Sequence, residues 1–152
     1  MTVYGIAYVD AEGHIDSFYI PGPTGYPEEG TSEADNTKTI VHVTDEVTDM
    51  SSFVKYKYYK DGIWKSRTGP PADYYNWKDE AWVLDSTELF LQLRKERDLR
   101  LYQCDWTQLD DSKLSMTKKG EWAEYRQALR EVPQTNGDAK LLSEVVWPDK
   151  PS

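Results

Sequence analysis

Trp122-Ala123-Glu124-Tyr125-Arg126-Gln127-Ala128-Leu129-Arg130-Glu131-Val132-Pro133 decides the reading of the chain's second half. Trp122, Tyr125, Leu129 and Val132 fall at i, i+3, i+7 and i+10, one face of an α-helix. Pro133 is expected to stop that helix, because it lacks the N–H that a further turn needs. Upstream, Ser86-Thr87-Glu88 offers a helix cap with an acidic first turn. Leu89 to Gln103 follows with strong helix formers and neither Gly nor Pro. Its apolar stripe (Leu89, Phe90, Leu93, Leu99, Leu101, Tyr102) is interrupted by the charged run Arg94 to Asp98. Cys104 to Ser115 connects the two helices, Gln134 to Asp138 is a polar loop, and Glu144-Val145-Val146-Trp147-Pro148 is an extended end fixed by proline. A helical hairpin with an extended tail is expected.

The first half has the shorter period of strands. Val3 to Val9 alternates, Asp10-Ala11-Glu12-Gly13 is a turn, and His14 to Ile20 resumes the extended pattern, which predicts a hairpin. Pro21 to Asn36 is dense in Gly, Pro, Glu, Ser and Thr, and reads as a long connecting loop with little to bury. Lys38 to Thr44 is another strand. Phe53 to Lys60 alternates up to Asp61-Gly62, a pair suited to positive φ, and Ile63-Trp64-Lys65 begins the return strand of a second hairpin. Gly69-Pro70-Pro71 ends it, and Ala81 to Leu84 is a short closing strand. The expectation is an α+β chain. Residues 1–86 form a β-rich N-terminal domain of two hairpins and a small antiparallel sheet, and 87–152 form the helical one.

Composition narrows the chemistry. The hydrophobic fraction is 38%, yet six Trp and eleven Tyr supply large buried areas from few positions, so a small aromatic core is expected rather than disorder. With 27 acidic against 18 basic residues and a net charge of -9, the chain repels phosphate backbones, so nucleic acid is not an expected partner. Cys104 is the single cysteine, which leaves no internal disulfide and no Cys-rich zinc site, and points to folding in a reducing compartment. The first residues carry neither the basic nor the apolar region of an export signal, and no stretch approaches the ~18 apolar residues of a membrane helix. No membrane partner is expected.

Reactive centres are not legible. His14 and His42 lie in expected strands without metal-ligand spacing. The carboxylate pairs Glu28-Glu29, Asp45-Glu46, Asp79-Glu80 and Asp110-Asp111 read as acidic turn residues. No phosphate-binding glycine loop and no GxSxG elbow occurs. Cys104 reads as a small buried hydrophobe. Neither enzyme activity nor a cofactor is expected.

A longer pattern carries more. Glu96-Arg97-Asp98-Leu99-Arg100-Leu101-Tyr102-Gln103 leads into Cys104-Asp105-Trp106-Thr107-Gln108-Leu109-Asp110-Asp111. The Trp122–Pro133 helix follows, and the chain finishes on Val146-Trp147-Pro148. Over roughly residues 90 to 150 this resembles the C-terminal domain of phage tail assembly chaperones, a group overlapping with tail-fibre assembly proteins. Tyr59-Lys60-Asp61-Gly62 and Trp77…Trp82 resemble the family's variable β-rich N-terminal region more loosely.

The resemblance implies a phage assembly protein that works by protein–protein contact in the host cytoplasm, shielding or docking a tail fibre or baseplate protein, with self-association a second mode. The alternative is a component retained in the mature virion, as a baseplate part or fibre adaptor. The residues expected to face a partner are Asp105, Trp106, Thr107, Arg126, Arg130, Trp147 and Pro148. Trp122, Tyr125 and Leu129 read first as core. Arg126 and Arg130 can pair with Asp105, Asp110 or Glu131. Trp106 either folds back as a plug over the hairpin or presents an aromatic anchor.

Overall fold

The computed structural model describes residues 2–152; the first residue of the expected N-terminal domain lies outside them. The chain is mixed α+β, with its strands mainly in the N-terminal half and its long helices after them. It divides into two compact units. The first runs to Pro71 and takes in Asn76–Val83; the second comprises Ala72–Tyr75 and Leu84–Ser152.

In the first unit β1 (Gly5–Val9) is central. It pairs antiparallel with β2 (Ile15–Tyr19) on one side and β4 (Thr39–Val43) on the other, and the two-residue β3 (Gly30–Thr31) extends the sheet beyond β4. Alternation puts Ala7, Val9, Ile15, Val41 and Val43 on one face. They form the core, against which Phe18, Phe53, Val54, Tyr59 and Trp64 pack. Gly13, at φ 77°, is required by close approach: a Cβ there would sit 1.8 Å from the Tyr59 carbonyl oxygen. In return the Gly13 carbonyl accepts the Tyr59 N–H at 2.9 Å.

The segment Pro21 to Asn36 is more than a connector. Tyr26 stacks edge-on against the His42 ring with centroids 5.0 Å apart, and the His42 Nε2 lies 2.8 Å from the Pro27 carbonyl oxygen. The Glu29 carboxylate accepts the His42 N–H at 2.8 Å. On the face of the sheet opposite the core, Ile6 and Ile40 are buried.

The expected strand Phe53 to Lys60 is corrected. Its first part is the helix α1 (Met50–Tyr56), and only β5 (Lys57–Lys60) is extended. Asp49 explains why: its carboxylate accepts the Ser51 and Ser52 N–H groups at 3.0 and 3.3 Å and the Ser52 hydroxyl at 2.6 Å. That N-cap, at the start of a run with no visible helical stripe, outweighs the alternation. β5 turns through Asp61 (φ 55°) and Gly62 (φ 80°) into β6 (Ile63–Ser66), as the Asp-Gly pair requires. The expected closing strand is β8 (Ala81–Leu84), and its partner is β7 (Tyr75–Lys78), which the sequence did not reveal.

Arg67 fastens the end of the first unit. Its guanidinium lies 5.1 Å from the Trp77 ring and 5.0 Å from the Trp82 ring. It donates to the Lys55 and Val54 carbonyls at 3.2 and 3.3 Å, in the last turn of α1. A buried cation between two indoles is stabilised by both π-faces.

The second unit is a helical hairpin with a tail. α2 (Ser86–Gln103) is capped by Asp85, one residue before the expected Ser86; the Asp85 carboxylate accepts the Glu88 N–H at 3.0 Å. α3 (Met116–Thr135) is capped by Ser115 and continues past Pro133 for half a turn, which corrects the expected stop. Proline there removes only its own N–H, and the carbonyls left at the end find side-chain donors. Thr135 Oγ1 reaches the Glu131 and Val132 oxygens at 3.3 Å each, and Asn136 Nδ2 reaches Val132 at 2.9 Å.

Two small cores join the helices. Cys104, Trp122, Tyr125 and Leu129 form one; Leu93, Val132 and Val145 form the other; and Trp147 packs against both. Each fully buried Leu or Val side chain contributes about 1.5–3 kcal/mol. The tail is held in register by Asn136, whose Oδ1 accepts the Val146 N–H at 2.8 Å, and by the Tyr74 hydroxyl, which accepts the Leu142 N–H at 2.9 Å. The distal part of the expected α2 stripe is not core: Leu99 is 50% exposed and Tyr102 77%.

Candidate functional site

Between the helices the chain makes a single 3₁₀ turn, Asp105–Gln108, and Cys104 is the residue on which α2 ends. Thr107 sits beneath the turn, fully buried. Its hydroxyl donates to the Cys104 carbonyl at 2.6 Å and accepts from Gln108 Nε2 at 2.9 Å. Thr107 therefore shapes the turn from inside, and its side chain is not on the surface where a partner would meet it.

Arg126 braces the same turn from α3. Its Nη1 donates to the Leu101 carbonyl at 2.9 Å and to Cys104 Sγ at 3.2 Å, and pairs with Asp105 Oδ1 at 2.8 Å. Burial works against the guanidinium's charge, but the Cys104 and Asp105 acceptors outweigh it and raise its pKa above the ordinary value. One cation thus adds a second donor to the Leu101 carbonyl, which also accepts the Cys104 N–H at 3.1 Å, and fixes the first residue of the turn.

This scaffold leaves Trp106 half outside. Its ring lies 6.2 Å from Trp122 at an interplanar angle of 58°, while the residue remains 50% exposed. One part of the indole rests on the buried hairpin, and the rest is open to solvent. In the same stretch Leu109 is 56% exposed and Tyr102 77%.

The other expected residues are placed separately. Arg130 is one turn beyond Arg126 on α3, exposed, and in no hydrogen bond or ion pair among the described residues. Trp147 is half-buried in the tail with the Arg100 guanidinium 4.3 Å from its ring, and Pro148 follows it, partly buried. No hydrogen bond, ion pair or ring stack joins Trp147 or Pro148 to Trp106 among the described residues. Arg100 and Asn136 were not expected as site residues. The first could have been suspected from its place just after the charged run Arg94 to Asp98, the second from nothing in the sequence pattern.

The remaining titratable groups serve local structure. Burial, with Arg67 nearby, lowers the His14 pKa. His42 and Glu29 meet each other, and Glu80 accepts from the Tyr58 hydroxyl at 2.9 Å and pairs with Lys65 at 3.1 Å. Among the described residues no group of three or more His, Cys, Asp or Glu is placed to hold a metal ion.

Residues 91–152 match the family model described as phage tail assembly chaperone protein. This segment is similar to that family. No curated protein and no solved structure matches the chain. The matched segment contains the braced 3₁₀ turn, α3 and the Trp147 tail, and begins within α2. The match supports a part in phage tail assembly for this segment. No helix among the described residues is long and apolar enough to cross a membrane.

Proposed function

We propose that the protein binds a tail fibre or baseplate protein during assembly in the host cytoplasm, with Trp106 as its aromatic anchor. The observation that supports this reading is the half-exposed indole on a turn that Thr107 and Arg126 hold rigid, within a segment similar to the chaperone family. A rigid aromatic side chain loses little conformational freedom on binding, and such residues dominate protein–protein affinity. Asp105 and Arg126 keep the turn in place, while exposed Arg130 and the Trp147-Pro148 tail widen the surface. Shielding an aggregation-prone face of a fibre protein until it joins the particle is the task this surface suits.

A pull-down from infected cells, run alongside the proteome of purified particles, tests the reading. Recovery of a fibre or baseplate protein is expected; recovery of metabolic enzymes alone overturns it. Stoichiometric presence in particles would mean a component that stays in the virion, and absence a factor that leaves.

A further inference from the structure

We propose that a groove on the second unit, between α2 and the tail, holds an apolar segment of the tail partner that carries Asp or Glu beside its anchor side chain. This rests on the partner-binding reading above and specifies the chemistry of what is bound. The groove encloses about 510 Å³. Leu99 and Arg100 form its α2 wall, and Leu142 and Trp147 the opposite one. A volume of this order takes large side chains rather than single waters.

Its apolar surface is unfinished. Leu99, part of the helix's apolar stripe, is 50% exposed at the groove. Trp147, which packs against both cores, also lines the groove. The Arg100 guanidinium lies 4.3 Å from that ring while its Nη2 pairs with Glu96 at 3.0 Å, so the wall is set before any partner arrives.

Charge selects the occupant. From Arg94 to Arg100 the helix carries four cations and two carboxylates, in a chain whose net charge is -9. Glu96 is taken by Arg100, and Asp98 by Arg97 at 2.6 Å. Arg94 and Lys95, both exposed, enter no ion pair among the described residues, and Lys95 lines the groove. A basic segment would be repelled there. An acidic one would meet Lys95 as its apolar anchor settles over Leu99, Leu142 and Trp147.

The test uses the full chain and synthetic peptides that tile the phage's own tail fibre and baseplate proteins, with binding followed by titration calorimetry. The expected binders carry an aromatic or Leu residue within a turn of Asp or Glu. Lys95→Glu and Leu99→Asp should each weaken them about tenfold or more, while the exposed Gln127→Ala leaves them unchanged. Raising salt should weaken the wild type and have less effect on Lys95→Glu. Because Lys95 and Leu99 are surface positions, circular dichroism should show both variants folded; a groove variant that unfolds is replaced by Leu99→Ser, read the same way.

Binders that are basic, or that survive both substitutions, overturn the proposal. So does sedimentation showing that Leu99→Asp splits a dimer, since a second copy would then be the occupant. If no peptide binds while the pull-down still recovers a tail protein, the groove is wrong and the partner reading stands. If the pull-down also fails, both fall.

Discussion

In the first unit Trp64, Trp77 and Trp82 turn inward, against Phe53 and Tyr59 or around Arg67, and even the indole N–H groups of Trp64 and Trp77 are buried. In the second unit Trp122 alone is core, Trp106 is 50% exposed, and Trp147 forms the wall of a groove. The tryptophans of the first unit are thus half-buried against one another or the sheet core, as Trp147 is in the second, whereas Trp106 is half exposed. The first unit packs its aromatics around a thin aliphatic sheet core of Ala7, Val9, Ile15, Val41 and Val43. A helical hairpin with Leu89, Leu93, Leu129 and Val132 buried can leave two of its indoles partly outside. Losses of partner binding should then come from the second unit, and losses from the first should be losses of fold.

The largest effect expected is from Trp122→Ala. Removing a side chain only 6% exposed, which contacts Trp106 and Tyr125, should cost about 3–5 kcal/mol by denaturant unfolding. A cost under about 1 kcal/mol would mean the hairpin core is elsewhere. Arg67→Ala should come next, near 2–3 kcal/mol, since it removes two cation–π contacts and two hydrogen bonds to α1 carbonyls. Near-UV circular dichroism of the Trp77 and Trp82 environment should collapse with it, and an unchanged spectrum would refute the clamp.

Arg126→Ala should cost about 1–2 kcal/mol, for the lost hydrogen bonds to the Leu101 carbonyl and Cys104 Sγ, because Asp105 is too exposed for its ion pair to contribute much. Trp106 emission should shift to the red as the turn loosens. A blue shift would show that the indole folds inward instead.

Acid sharpens the contrast between the units. The Thr37 hydroxyl holds Asp35, and the Ser52 hydroxyl holds Asp49, below the usual carboxylate value of 3.8. The Lys65 ammonium does the same for Asp61, and with the Tyr58 hydroxyl holds Glu80 below 4.5. All four lie in the first unit. Carboxyls with depressed folded pKa values contribute stability that is fully present above these values and lost as pH falls through the lower, folded ones. NMR resonances of the first unit should therefore weaken as pH drops below 4.5, with those of α2 and α3 following; the reverse order would contradict this placement of the stabilising acids.

The helical half was legible because its signals are local and redundant. Trp122, Tyr125, Leu129 and Val132 share a face, and the Asp105–Arg126 pair was among the pairings the sequence allowed. The misreadings came where one side chain outweighed a pattern. Asp49 turned an alternating run into α1, and Thr135 with Asn136 let α3 pass Pro133. The docking of the segment Pro21 to Asn36 on β4 was hidden because Tyr26, Pro27 and Glu29 meet His42 across a gap in sequence that no periodicity marks. Exposure was the least readable property. Leu99 and Tyr102 belong to the α2 stripe, yet they face outward, since only the position of the tail decides which apolar residues are covered.

The affinity of the Trp106→Ala variant for the tail protein recovered with the wild type, measured beside its thermal unfolding, bears most directly on all of this. Binding should fall at least about tenfold while the melting temperature moves by only a few degrees. Undiminished binding, or a loss of stability as large as that of Trp122→Ala, would mean the indole is a plug for the hairpin and not an anchor for a partner.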